Sequence, residues 1–297
     1  MLLRLLGNLW RRAPAPAAGE TPPPADSEVV TLLRRAEACR ANGKTDEAIA
    51  LCERALVLEP YNVLARQILI RASLPGEIYR DVLRRIHGYL RPRTYVEIGV
   101  SKGDTIALAC PETVAIGIDP EPKINLPLTA RTRIFAETSD DFFARRDLNA
   151  ELGGLPVELA FIDGQHHFEF ALRDFINLER RCARTSTILI HDCYPLDEVT
   201  ARRERVFEFW SGDIWKLVVC LRKYRPDLSV HTVGCAPTGL AVVRNLDPAS
   251  TVLQGRLQEI YAEFIPLPFS TIENRKAELL NFYPNEWDQV RALLSPA

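Results

Sequence analysis

Residues 94 to 103 read Thr-Tyr-Val-Glu-Ile-Gly-Val-Ser-Lys-Gly, and this stretch limits the fold more than any other. A β-branched and aromatic run ends in an acid, Glu97, then in two glycines, Gly99 and Gly103, ahead of a helical pattern. A second apolar run, Val114 to Ile118, ends in another acid, Asp119. Strand, glycine turn, helix and a second strand closing on a carboxylate is the order in which an α/β domain binds a nucleoside. The glycines let the backbone approach the ligand, and the second acid can accept both ribose hydroxyls. A dinucleotide fingerprint requires Gly-x-Gly-x-x-Gly, but Ser101 stands at its second glycine and Asp104 at its third.

Downstream, strand-like and helix-like segments alternate, which implies an α/β fold with a mostly parallel sheet. The pattern predicts strands at 94–98, 114–118, 132–136, 157–162 and 187–191. Helices are predicted to start near Gly103, near Ser139 and at Phe168, with a long one over about 201–224. Two last strands, about 229–234 and 239–244, are joined by a short turn containing Pro237 and Gly239. So short a connection allows only an antiparallel hairpin.

Four regions are expected. Residues 1–27 hold an amphipathic start and an Ala/Pro-rich linker. Residues 28–74 resemble a tetratricopeptide hairpin, with Ala36, Ala48 and Ala55 where its helices cross and Pro60 where the second helix stops. Residues 75–245 form the α/β domain, and 246–297 a helical extension. A single repeat cannot bury its own apolar face, so the hairpin is expected to pack on the α/β domain, a second copy or a protein partner. In residues 1–12, Leu2, Leu3, Leu5, Leu6, Leu9 and Trp10 stand against Arg4, Arg11 and Arg12. That stretch is too short for a transmembrane helix; it is expected to be a frayed terminus, with a weak membrane-surface or partner-docking helix as the alternative. A net charge of -2 gives no case for nucleic-acid binding over the whole surface. Seven scattered cysteines without a Cys-x-x-Cys pair argue for a reducing, cytoplasmic setting and against a disulfide framework.

Ligands of open α/β sheets bind at the carboxyl ends of the strands. Those ends carry Glu97 with Gly99, then Asp119, Glu137 with Ser139, Asp163 through His167, and His191 with Asp192. Three of the five histidines gather at this one edge. Asp163 and Asp192 end adjacent strands, so their side chains can converge on a hard divalent cation such as magnesium. His166 can accept a proton near neutral pH. His191 reads equally well as a strand-end residue bonded to the backbone. Ser139 is expected near the adenine end of a bound nucleoside.

The Glu97-x-Gly99-x-x-x-Gly103 pattern resembles motif I of the class I S-adenosylmethionine-dependent methyltransferases. Within that group, Phe161-Ile-Asp163-Gly164-Gln-His166-His-Phe168, then Asp174, then His191-Asp192, resembles the branch of macrolide-sugar and rhamnosyl O-methyltransferases and cephalosporin hydroxylase-like proteins. Gln165 stands where that branch usually has aspartate, and Phe168 where tyrosine is common. The resemblance implies a seven-stranded Rossmann-like sheet, parallel with an antiparallel last strand. It implies S-adenosylmethionine held by Glu97, Gly99, Gly103, Asp119 and Ser139, and O-methylation of a hydroxyl on a sugar, glycan or other small acceptor. His166, Asp163 and Asp192 would then be catalytic, with Asp163 and Asp192 as ligands of a metal such as magnesium. Two other readings stay open at this point: an adaptor whose methyltransferase-like domain is inactive, and a hydroxylase on the same scaffold.

Overall fold

The protein is described by a computed structural model over residues 27–206 and 209–295. The amphipathic stretch 1–12 and the linker 13–26 lie outside the described residues. Five strands pair side by side in parallel: β1 (Thr94–Ile98), β2 (Val114–Ile118), β3 (Arg131–Phe135), β4 (Val157–Ile162) and β5 (Cys182–His191). The β-branched and aliphatic content of β1, β2 and β4 suits a sheet buried on both faces, whereas β3, with Arg131 and Arg133 exposed, is an edge strand. The hairpin β6 (Ser229–Val233) and β7 (Leu240–Arg244) follows, with β7 antiparallel to both β5 and β6. The strand order is β3-β2-β1-β4-β5-β7-β6-β8.

The eighth strand is an addition to the expected seven. The dipeptide Phe282–Tyr283 (β8) comes from the C-terminal extension and pairs in parallel with β6. Gly234 makes room for it, since a Cβ there would lie 2.3 Å from the Phe282 ring.

Register decides where the site can be. Ile98 is level with Ile118 on one side and with Ile162 on the other, and Ile162 is level with Ile190. The residues that follow these four isoleucines therefore stand in one row along the rim. Strand order reverses between β1 and β4, which opens a crevice at that point of the rim.

Helices cover both faces. One face buries Val96, Ile98, Ile162 and Ile190 against α7 (Phe168–Glu179), α8 (Trp215–Tyr224) and α10 (Leu257–Phe264). The alternate residues Tyr95, Leu159 and Leu189 point to the other face, onto α4 (Tyr79–Leu90) and the C-terminal α12 (Trp287–Leu294). The extension is thus built into both cores rather than appended to them. Short helices α5 (Ser139–Arg145), α6 (Leu148–Glu151), α9 (Val252–Gly255) and α11 (Lys276–Leu279) complete the set.

The hairpin, α1 (Glu28–Ala41), α2 (Thr45–Leu58) and α3 (Val63–Ser73), has a small core of its own. Ala36, Ala48 and Ala55 are completely buried in it, as the crossing of two helices through small residues requires. It packs onto the α/β domain. Arg66, 1 % exposed, bonds Asp197 at 2.8 Å, and Ile70 and Leu74 meet Ala236.

Two expected helices are shorter than their patterns suggest. After Gly103 only a 3-10 turn forms, Ile106–Leu108. Of the long helix expected over about 201–224, the described residues form α8 at its end, and Gly212, with a positive φ of 60°, lies just before it. Among the described residues no helix is long and apolar enough to cross a membrane.

Candidate active site

A cavity of about 590 Å³ opens at the crevice on the rim. That volume lies within the range of small-molecule sites. Its wall includes Gly99, Asp119, Ser139, Asp163, His166 and Asp192, and also His191, which the sequence left undecided. Glu97 and Gly103 are not on it.

The β1 turn forms one side. Gly99 has a φ of 88°, and a Cβ there would lie 2.0 Å from the backbone oxygen of Asp163. Only glycine lets the ends of β1 and β4 come so close. Gly103 also has a positive φ, 86°, and its role is to turn the chain beside Ile124. Ser101, at the position where a dinucleotide site needs glycine, has a φ of 47°. Its N–H donates to Asp119 Oδ2 at 2.7 Å, and the N–H of Glu121 donates to Oδ1 at 2.7 Å. Asp119 is therefore a turn aspartate and a cavity wall at once, with lone pairs left for a ligand's hydroxyls.

Glu97 lies beneath the turn. It is fully buried, and its carboxylate accepts from Tyr95 Oη at 2.6 Å and Thr105 Oγ1 at 2.7 Å. Burial outweighs these bonds and pushes its carboxyl up to about 8. The acid of the turn thus holds the turn to the strand and does not face the cavity.

At the next stretch of the rim, Thr138 caps α5 through Oγ1, which accepts from the N–H of Asp141 at 3.1 Å. Ser139 is the first residue of that helix and lines the cavity. Glu137 turns away to bond Arg146 at 2.6 Å. Asp174, on α7, is 3 % exposed and faces the same space, and burial pushes its carboxyl up to about 7.

The other side of the cavity is a cluster of two carboxylates and two imidazoles. His191 Nδ1 lies 3.1 Å from Asp163 Oδ1 and 3.1 Å from Asp192 Oδ2. His166 Nε2 lies 3.2 Å from Asp192 Oδ2 and 3.6 Å from Asp163 Oδ1. Thr238 Oγ1 donates to the remaining oxygen of Asp192 at 2.5 Å, and Asp192 itself has a positive φ of 58°. Burial would lower the histidines, but the two carboxylates win and hold His166 up at about 9 and His191 above its usual range. Burial would raise the acids, yet the imidazoles keep both below the usual carboxylate range. Two imidazolium charges balance two carboxylates, which is also the charge that one divalent cation would supply.

Donor atoms of Asp163, His191 and Asp192 lie within 4.8 Å of one another, close enough to share such a cation. Two hard carboxylates with one imidazole fit a divalent ion chemically. The nitrogen suits manganese, iron or zinc better than magnesium, which prefers oxygen ligands. Gln165 is exposed and bonds His167, so it takes no part in the cluster.

Residues 96–193 match the family described as methyltransferase domain, and residues 29–72 match the tetratricopeptide repeat. The chain carries a methyltransferase domain. Among curated proteins none matches it at significant similarity. Among solved structures it is similar to the O-methyltransferase TomG from Streptomyces achromogenes, in complex with SAM, at 13% identity and a TM-score of 0.42. That alignment covers 75% of this chain and 91% of TomG. A cofactor-bound protein from MTB, Rv0187, aligns at 15% identity and a TM-score of 0.45, over 76% of this chain and 99% of its own. An O-methyltransferase from Bacillus cereus in complex with SAH aligns at 12% identity and a TM-score of 0.40, over 74% and 91%.

Sequence reasoning missed the strap that closes the methyltransferase domain's cluster side. Among the described residues between β5 and α8, Trp210 lies flat against His166, with ring centroids 4.9 Å apart. The backbone oxygen of Trp210 meets His166 Nδ1 at 3.2 Å, so Nδ1 carries the proton and Nε2 faces the acids. The strap is pinned by Asp213, 1 % exposed, which bonds the N–H of Phe168, Arg203 at 2.6 Å and Lys216 at 2.8 Å. Gly212 passes so close beneath His166 that a Cβ would lie 1.8 Å from that residue's backbone oxygen. The Phe168 ring is fully buried and stacks on Phe264, with centroids 5.5 Å apart. The ring of Tyr79 on α4 lies tilted against His191, with centroids 3.9 Å apart. Cys193 is buried, and burial pushes its thiol up to about 12, which removes it as a nucleophile.

Proposed function

We propose that the protein is an S-adenosylmethionine-dependent O-methyltransferase acting on a hydroxyl of a sugar, glycan or other small-molecule acceptor. The observation that carries this reading is the position of His166 Nε2. It lies 3.2 Å from Asp192 on the wall of the same cavity that holds the Gly99 turn and Asp119. The sulfonium of the methyl donor supplies a carbon that is already activated, so the chain has two tasks. It must position the acceptor oxygen and take its proton. As the oxygen–carbon bond forms and the sulfur–carbon bond breaks, the hydroxyl proton passes to Nε2 of His166, which acts as base only after losing its own Nε2 proton, so turnover rises with pH toward about 9. The neighbouring carboxylates stabilise the imidazolium that results. Asp119 supports the ribose role, Ser139 the adenine side, and Gly99 the close approach of backbone to donor.

A divalent cation, if used, would be held by Asp163, Asp192 and the neutral imidazole of His191. It would supply positive charge beside the acceptor oxygen and release the two imidazole protons. The test is direct. The purified chain should bind S-adenosylmethionine in calorimetry, and in a panel of sugar hydroxyl acceptors the product should gain one methyl group by mass. Failure to bind the donor would contradict the reading. A product that gains oxygen would mean a hydroxylase. Turnover unchanged by a strong chelator would remove the cation and leave the His166 step intact.

A further inference from the structure

A second cavity, of about 460 Å³, lies where the tetratricopeptide hairpin meets the segment after β5 and the C-terminal extension. Leu56, Val57, Leu69, Val199 and Phe269 are the apolar side chains that line part of it. The end of α2 beside it leaves Val57 80 % exposed, with Leu58 at 47 % and Tyr61 at 54 %. Three exposed acids stand on its rim, Glu53, Glu198 and Glu273. The two cations there are turned inward, Arg66 to Asp197 and the backbone oxygen of Pro60, and Lys276 to the backbone oxygens of Pro195 and Leu196. A partly apolar lining under an acidic rim fits an amphipathic, basic helix laid in a groove.

The sequence of residues 1–12 carries the matching pattern. In residues 1–12, Leu2, Leu5, Leu6 and Leu9 have the i, i+3, i+4, i+7 spacing of one helical face, and Arg4, Arg11 and Arg12 supply the charge that the rim lacks. Reach is sufficient. Glu28 bonds Arg54 at 2.5 Å, so the start of α1 lies beside α2, one residue from Glu53 on the groove. The Ala/Pro-rich linker 13–26 spans on the order of 43 Å when extended.

We propose that this groove is the docking site of the chain's own residues 1–12. The helical hairpin thus receives a segment of its own chain at its junction with the segment after β5. The interaction joins apolar anchors to Leu56, Val57 and Phe269, and arginines to the three rim acids.

The test uses the full chain with a photo-crosslinking phenylalanine analogue at Leu6. After irradiation, the monomer band should contain crosslinks from residue 6 to peptides that include Val57, Val199 or Phe269. The triple variant Glu53→Lys, Glu198→Lys, Glu273→Lys changes only exposed positions and should cut those crosslinks at least fivefold. Crosslinks of undiminished yield in that variant would overturn the proposal, as would crosslinks spread over unrelated surfaces. Crosslinks found only in a dimer band would assign the groove to a second copy and overturn the intramolecular form. Capture by vesicles containing anionic lipid, with no groove crosslink in their absence, would assign residues 1–12 to a membrane surface instead.

Discussion

The two sides of the rim cavity are built in different ways. The Gly99–Asp119 side comes from short stretches of chain that end neighbouring parallel strands, and strand register alone brings them level. The His166–Asp192 side also starts from strand ends, but its working geometry is set by Trp210 and Asp213 from the strap and by Tyr79 of α4. One side is assembled by local sequence and the other by long-range contact. A change on the first should therefore affect donor binding, and a change on the second should affect turnover.

Two glycine substitutions give the sharpest contrast, because both would drive a Cβ into backbone at a positive φ. Gly99→Ala should lower stability by about 3 kcal/mol or more and abolish measurable donor binding. Gly212→Ala should cost a similar amount of stability but leave donor affinity within a few-fold in calorimetry, while turnover collapses. If both variants lose donor affinity equally, the division of the cavity fails.

The next effect in size concerns the acids. Asp163→Asn and Asp192→Asn should each lower kcat by roughly 10²–10³-fold with donor affinity nearly unchanged. Steady-state kinetics alongside calorimetry reads both quantities. A matching loss of affinity would move these residues to the donor side. Smaller still, Trp210→Ala removes a stacked ring worth about 1 kcal/mol and should lower kcat by about tenfold. The loss should fall on kcat, since His166 then loses its fixed orientation.

The smallest effect sharpens the other side. Burial keeps Glu97 protonated in the native state up to about pH 8, whereas its ordinary value is 4.5. Between those values the native chain binds a proton that the unfolded chain has lost, so stability declines as pH rises through that window and levels off above it. Glu97→Gln should flatten this decline, a change on the order of a few kcal/mol across the window, seen in urea unfolding at several pH values. An unaltered pH profile would show that Glu97 is ionised in the native state.

The same contrast explains what was legible in the sequence. Strands β1, β2 and β4 fall where their apolar runs and terminal acids put them, and α1 and α2 match the spacing of their small residues. Such features are set by residues close together in the chain. The strap was not legible. Its amphipathic composition over 201–224 suggested one helix, and nothing local announces that Gly212 must pass beneath His166. His191 was ambiguous for the same reason, since its partners, Asp163 and Tyr79, come from other elements. Glu97 stands at the strand end its pattern predicts, and its burial beneath the turn, off the cavity wall, depends on Tyr95 and Thr105 rather than on the local pattern. The eighth strand depends on Gly234 accepting the Phe282 ring, a pairing that no two-residue pattern could reveal.

The most direct measurement is a crystal structure with S-adenosylhomocysteine bound. The account predicts ribose hydroxyls on Asp119, adenine beside Ser139, and the sulfur turned toward Asp163 and His166. A nucleoside bound elsewhere, or one whose sulfur faces away from that acid–histidine cluster, would contradict it.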